Sequence, residues 1–342
     1  MTTVQPASAP TAAPTPLALP PLPPGGGEGR ATDLPLAVET EGLRKEYGRK
    51  VAVAGLSLRV PAGEVFGFLG PNGAGKSTTV KMLVGLVRPT AGRGQLLGRP
   101  LGDTQARRRL GFLPEQFRFH EWLRAEEFLD LHASLYGLPR RERPRRIADA
   151  LELVGLSARA GDTLGTFSKG MLQRIGIAQA IIADPELVIL DEPTSALDPI
   201  GRRDVRDLIR RLRTRGVAVF LNSHLLSEVE MVCDRVAIID HGMVVRQGAL
   251  ADLVAGTLEA EVRLRSLPPA LLVALGERWS VVPPPGPDSD GLWTLRVALE
   301  EEEDLPRVAD LILRQGAGLY ALIPRRTTLE DLFVQSVEHH DV

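Results

Sequence analysis

Gly70-Pro71-Asn72-Gly73-Ala74-Gly75-Lys76-Ser77 follows the apolar run Val65-Phe66-Gly67-Phe68-Leu69 and leads into Thr78 to Val87. No other stretch narrows the possible folds as far. The spacing G-x-x-x-x-G-K-S between a strand and a helix is the pattern of a loop that wraps a polyphosphate. Glycines let the backbone curl so that successive N–H groups point inward, and the start of the following helix adds partial positive charge. Gly70, Pro71, Asn72, Gly73, Ala74, Gly75, Lys76, Ser77 and Thr78 are therefore the expected phosphate-binding residues. Lys76 would neutralise the β- and γ-phosphates, and the Ser77 hydroxyl would ligate a Mg²⁺ whose other positions are mostly water and phosphate oxygens. The competing reading, an ordinary glycine-rich turn, does not account for strand, glycines, lysine and helix together.

A second stretch points the same way. Glu186-Leu187-Val188-Ile189-Leu190-Asp191-Glu192-Pro193 is an apolar strand that ends in two carboxylates. A strand buried on both faces of a parallel sheet has no reason to end so unless the charges meet a cation or a reaction. Asp191 suits a metal ligand or its support, and Glu192 suits a base that takes a proton from an attacking water. The plainer alternative is a pair of helix caps. Val217 to Leu221 is another buried strand, followed by Asn222-Ser223-His224, which puts a histidine at a strand end beside the carboxylates. His224 is expected either to donate to a γ-phosphate oxygen or to be a satisfied structural histidine.

The remaining elements follow from local pattern. Leu36 to Thr40 and Leu56 to Val60 alternate as antiparallel strands, with Tyr47 in a turn between them, placed either to stack on a base or to close a strand half-buried. Gln95 to Gly98 reads as a short strand, and Arg107 to Leu113 as another that stops at Pro114, so that Glu115 and Gln116 follow a strand end, where α/β sheets commonly present ligands. Residues 121–156 read as amphipathic helices. Ser168 is a candidate N-cap for a helix to about Ala183, and Ser195 to Pro199 is a turn before a helix from Gly201 to Arg215. Val236 to Asp240 and Met243 to Arg246 form a hairpin around His241-Gly242.

Composition sets limits on function. A chain of 342 residues accommodates about two domains. A formal net charge of −2 gives no electrostatic case for nucleic acid, and none is expected as a partner. Cys233 is the single cysteine, which excludes an intrachain disulfide and suits a reducing compartment. No apolar run approaches the roughly 18 residues of a membrane span, and the N-terminus lacks the features of a signal peptide. The reading is a cytoplasmic protein that depends on partners for any membrane-spanning part. Residues 1–34, rich in Pro and Ala, read as a disordered tail.

In this order, the elements resemble the ATP-binding subunit of ATP-binding cassette (ABC) transporters. The resemblance covers residues 35–257 and rests on Walker A (Gly70 to Thr78), the signature loop (Phe167 to Met171), Walker B (Leu187 to Glu192), the D-loop (Ser195 to Asp198) and the switch histidine His224. It implies an α/β P-loop NTPase cassette: a RecA-like core with an antiparallel β subdomain and an α-helical subdomain. It also implies ATP and Mg²⁺, transmembrane permease subunits as partners, and a place on the cytoplasmic face of the cell membrane. Two cassettes, a homodimer or this chain with a second cassette, would sandwich ATP head to tail. Carried over, Tyr47 stacks on adenine, Lys76 and Ser77 hold phosphates and Mg²⁺, Asp191 supports the metal and Glu192 polarises water. Ser168 and Gly170 bind the γ-phosphate across the interface, Asp198 lies in the D-loop beside it, and His224 senses it. Two departures stand out: Lys169 replaces a glycine of the commonest signature, and either Glu115 or Gln116 occupies the position of the metal-contacting Q-loop glutamine. The wording, with Leu113-Pro114-Glu115, is most similar to ABC-2 type exporters.

Beyond residue 257 the pattern changes to strand, helix, strand, strand, helix, strand: Leu258–Arg265, Pro268–Glu277, Trp279–Val282, Leu292–Leu299, Leu305–Arg314 behind an Asp304 cap, and Leu319–Ile323. That order is the ferredoxin-like split motif, and Thr328 to Asp331 offers a capping box to a last helix. Residues 258–342 are thus expected to form a small α+β accessory domain; similar domains follow many ABC-2 type cassettes, and the resemblance implies a module that stabilises a dimer or regulates it. Two other classes make different demands. A soluble ABC ATPase acting on ribosomes or nucleic acid should carry two cassettes or a long coiled-coil insertion, and a GTPase switch should carry Asn-Lys-x-Asp. Neither pattern is found.

Overall fold

The computed structural model describes residues 35–195, 197–254, 258–282, 286–325 and 328–338. The tail expected over residues 1–34, Ala196 of the D-loop and the junction at 255–257 lie outside the described residues.

Strands β1 (Leu36–Tyr47) and β2 (Lys50–Pro61) form an antiparallel hairpin, and β3 (Val65–Leu69), buried at every position, leads through the glycine-rich loop into α1 (Lys76–Leu83). Strands β4 (Ala91–Leu96) and β5 (Arg99–Pro100) return to the first sheet, whose order is β2-β1-β4-β5. Helix α2 (Thr104–Arg108) precedes β6 (Leu110–Leu113), and α3 (Ala125–Leu135), α4 (Arg143–Leu153) and α5 (Lys169–Ile181) follow. The chain then runs through β7 (Leu187–Asp191), α6 (Pro199–Thr214), β8 (Ala218–Asn222), α7 (Leu226–Val232), β9 (Arg235–Asp240), β10 (Met243–Ala249) and α8 (Leu250–Val254). The central sheet has the order β10-β9-β3-β8-β7-β6, parallel apart from β10.

A parallel sheet covered on both faces needs strands that are apolar on both sides. Here Val65, Leu69, Val188, Leu190, Val219 and Leu221 face the helices, while Phe66, Phe68, Leu187, Ile189, Ala218 and Phe220 face the antiparallel sheet and α1. Phe220 sits between Phe66 and Phe68, with ring centroids 5.8 and 5.2 Å away. Cys233 closes α7 among these residues, and burial pushes its thiol well above the usual pKa, so it behaves as a small hydrophobe.

The C-terminal segment has a third core of its own. It comprises β11 (Leu258–Leu264), α9 (Pro269–Gly276), β12 (Val281–Val282), β13 (Trp293–Leu299), α10 (Asp304–Arg314) and β14 (Leu319–Arg325), followed by α11 (Leu329–Glu338). The sheet order β12-β13-β11-β14, with antiparallel neighbours throughout, is the ferredoxin-like arrangement. Helix α11 starts at a capping box: the Thr328 N–H donates to Asp331 Oδ2 (2.9 Å) and the Asp331 N–H to Thr328 Oγ1 (3.2 Å). It then leaves this sheet and packs on α7, α8 and β9, with Leu329 fully buried in the helix-side core of the cassette.

Five local expectations are corrected. β1 does not stop at Thr40: register shifts between Thr40 and Leu43 and again before Lys45 absorb Gly42, at φ 57°, and carry the strand on to Tyr47. Tyr47 is therefore a strand-end residue paired with Lys50, and not part of a turn. Residues 107 and 108 belong to α2, because Asp103 accepts from the N–H groups of Gln105 (2.7 Å) and Ala106 (2.9 Å) and so starts a helix there. Pro199 is the first residue of α6, capped by Asp198. Asp304 likewise is the first residue of α10 and not its cap; its Oδ2 accepts from the Glu300 N–H at 3.2 Å. Among the described residues no helix is long and apolar enough to cross a membrane.

A Cβ at Gly111 of β6 would lie 2.1 Å from the Ala180 carbonyl oxygen of α5, so backbone meets backbone there. Gly111→Ala should destabilise the chain by about 1–3 kcal/mol. Gly276→Ala, where a Cβ meets nothing within 4 Å, should leave stability unchanged or raise it. Urea denaturation midpoints of the two variants check the contrast.

Candidate nucleotide site

The loop after β3 is shaped by two kinds of constraint. Gly73 and Gly75 adopt φ of 88° and 99°, a region that favours glycine. Gly70 and Gly75 are also squeezed by neighbours: a Cβ would lie 2.4 Å from the Ile239 carbonyl oxygen at Gly70 and 2.5 Å from that of Ala52 at Gly75. The Gly242 N–H donates to the Ala74 carbonyl (3.0 Å), and the Gly242 carbonyl accepts from Ala54 (3.0 Å) and Gly55 (3.3 Å). The tip of the β9–β10 hairpin thus ties the loop to β2. Lys76 arches back across the loop, its Nζ donating to the carbonyls of Gly70 (2.5 Å) and Pro71 (3.1 Å). Burial lowers the Lys76 pKa, against the opposing pull of Glu192, Asp191 and Glu115.

The order β3-β8-β7-β6 brings three strand ends beside this loop. Asp191, at the end of β7, is buried and accepts a 2.6 Å hydrogen bond from Asn222 Nδ2 of β8. Burial raises the Asp191 pKa, and the Asn222 bond opposes that rise. Glu192 sits at φ 53°, uncommon for a residue with a side chain, and its N–H donates to the Asn222 carbonyl at 2.8 Å. The carboxylate turned by that backbone meets His224: Nδ1 lies 2.7 Å from Glu192 Oε2.

The resulting cleft, of about 400 Å³, is lined by Pro71, Asn72, Gly73, Gly75, Lys76, Ser77 and Thr78 of the loop, with Glu115, Glu192 and His224 from the strand ends. Gly70 and Ala74 are buried beneath it, and Asp191 lies behind Asn222. Of the two Q-loop candidates, Glu115 lines the cleft and Gln116 does not. Ser77, Asp191 and Glu115 are oxygen donors, the set a hard divalent cation takes. Among the described residues no group of three or more His, Cys, Asp or Glu could hold a metal by itself.

Tyr47, Ser168, Gly170 and Asp198 are elsewhere. Tyr47 is 48% exposed, with Lys45 Nζ 5.0 Å from its ring centroid, and does not line the cleft. Ser168 caps α5, its Oγ accepting from the Met171 N–H at 3.3 Å, and Asp198 Oδ1 accepts from the Gly201 N–H at 2.7 Å. With Lys169 and Gly170 they line a separate hollow of about 370 Å³. Three cleft residues are not among those the sequence assigns to the site: Lys50, Ala52 and Asn222. Asn222 carried a signal, a polar residue closing a fully buried strand. Lys50 and Ala52 carried none, since they reach the cleft only because β2 packs against the β9–β10 hairpin.

Residues 53–195 match the ABC transporter family. An uncharacterized ABC transporter ATP-binding protein of Synechocystis sp. is 39% identical over 298 residues, 84% of this chain and 78% of that one. Nod factor export ATP-binding protein I of Rhizobium sp. is 36% identical over 66% of this chain and 75% of its own length. A solved structure described as the ATP binding subunit of an ABC transporter superimposes with a TM-score of 0.58 at 33% identity, covering 64% of this chain and 92% of that one.

Asn222→Ala should cost about 1–3 kcal/mol at neutral pH by removing the side-chain hydrogen bond to the buried Asp191 carboxylate. The bond favours the ionised form, so the penalty is complete where Asp191 is charged. It shrinks as pH falls through the Asp191 pKa, which burial holds above the usual carboxylate range. Denaturation of both proteins at neutral pH and in mild acid measures the narrowing.

Proposed function

The chain belongs to the family of ABC transporter ATP-binding proteins, and from that premise we propose that two cassettes close head to tail around ATP to drive a membrane permease. It is an ATPase whose hydrolysis powers transport of the export type, and subunits of this family work with transmembrane partners. The relatives are transport and export subunits, and nothing supports the alternative of a soluble ATPase acting on ribosomes or nucleic acid. The permease would hold the chain at the cytoplasmic face of the membrane.

The observation that carries the proposal is the 2.7 Å contact of Glu192 with His224 in a cleft floored by the phosphate loop. Glu192 is the base, turned toward the cleft by its left-handed backbone, and it takes the proton of the attacking water. His224 holds that carboxylate in place and meets the γ-phosphate. Lys76 releases the carbonyls of Gly70 and Pro71 and turns to the β/γ-phosphates, where a full negative charge offers more than two carbonyl dipoles. Mg²⁺ would be held by Ser77 and Glu115, with Asp191 supporting it from behind Asn222, and would neutralise charge on the phosphates. Tyr47 stacks on adenine from the end of β1. The hollow formed by Ser168, Gly170 and Asp198 is built apart from the phosphate loop of its own chain. In the two-cassette arrangement it faces the nucleotide of the other copy.

Glu192→Gln should retain ATP binding and slow hydrolysis about a hundredfold or more, the range for losing a general base; near-normal turnover would remove Glu192 from that role. In the Glu192→Gln background, light scattering should show an ATP-dependent dimer, and adding Ser168→Arg should abolish it. A dimer unaffected by Ser168→Arg would rule out the head-to-tail sandwich.

A further inference from the structure

We infer that Lys50 is a second phosphate-binding cation of the cleft, meeting the part of the nucleotide that ATP and ADP share. The inference rests on the nucleotide reading above and adds a residue outside its motifs. Lys50 lines the same cleft as Lys76. It opens β2, and Ala52, two residues further along the strand, lines the cleft with it. The Ala52 carbonyl is pressed against Gly75 of the loop, and the Gly242 peptide bonds β2 at Ala54 and Gly55 and the loop at Ala74. These contacts hold the start of β2 at a set position relative to the phosphate loop.

Sheet order decides which part of the nucleotide Lys50 meets. The hairpin tip that binds β2 belongs to β9, on one side of β3, whereas Glu115, Glu192 and His224 follow β6, β7 and β8 on the other side. The groups assigned to the γ-phosphate therefore occupy one wall and Lys50 the opposite one, next to its cross-strand partner Tyr47. Lys50 has no carboxylate within ion-pair distance among the described residues. Glu115 and Glu192 place negative charge on the far wall, so a cation here balances the cleft at the end where the α- and β-phosphates meet the sugar.

The test is calorimetric titration of the full chain with ADP and with the non-hydrolysable triphosphate AMP-PNP, at low and high salt. Lys50→Gln should weaken both nucleotides by the same factor, about three- to tenfold at low salt, and the deficit should shrink as salt screens the charge. Lys50→Arg should bind both nearly as the unmodified chain does. Unchanged binding by Lys50→Gln would overturn the inference, as would a loss confined to AMP-PNP, which would move Lys50 to the γ-phosphate. A loss equally large in Lys50→Arg would reduce Lys50 to a packing role and overturn it too. Failure of the unmodified chain to bind either nucleotide would sink the nucleotide reading itself.

Discussion

A loop can aim several backbone N–H groups at one anion only if it is wound tightly, and tight winding leaves no room for side chains on its inner contacts. In this chain that demand is met by direct contact of main chain with main chain: Gly70 against the Ile239 carbonyl and Gly75 against that of Ala52. The loop is therefore gripped between β9 and β2, elements distant in sequence. Neither grip survives unless both sheets are in place, so the shape of the phosphate site is a property of the assembled cassette.

Electrostatics impose a complementary constraint. Glu115, Asp191 and Glu192 converge on one side of the cleft, where they act together on Lys76. Asp191 is drawn toward its neutral form by burial and back toward its charged form by Asn222. Lys76, folded onto two carbonyls, is desolvated without a close ionic partner. A ligand that brought phosphate to Lys76 and a cation to the carboxylates would offset the cost of such an arrangement. The strain at Glu192 belongs to the same pattern: an unfavourable backbone angle is tolerated where it aims a reactive group.

Much of this was legible in the residues because it depends on neighbours in sequence. The phosphate loop declares itself through glycine spacing, and Asp191-Glu192 through charge at the end of a buried strand. The ferredoxin-like order shows in alternation and helical spacing from Leu258 onward, and the box at Thr328 in its own chemistry. What stayed hidden depends on contacts between distant segments. The path of β1 to Tyr47 turns on bulges that a strict two-residue period misses. The start of α2 turns on one aspartate side chain that overrides the strand-like run after it. Whether Glu115 or Gln116 faces the cleft depends on how the chain leaves β6, and Lys50 on the seating of one sheet against another.

Helix α11 is the last described element of the chain, yet Leu329 lies in the same core as residues of β3 and α5. Synthesis proceeds from the other end. The residues that form the nucleotide cleft are therefore all made before the helix that covers the apolar flank of α7 and β9. Covering that flank requires the ferredoxin-like segment to be made first and its final helix to come back across it. The accessory segment is thus welded to the cassette by a shared core, and peeling it away would bare apolar surface on α7 and β9.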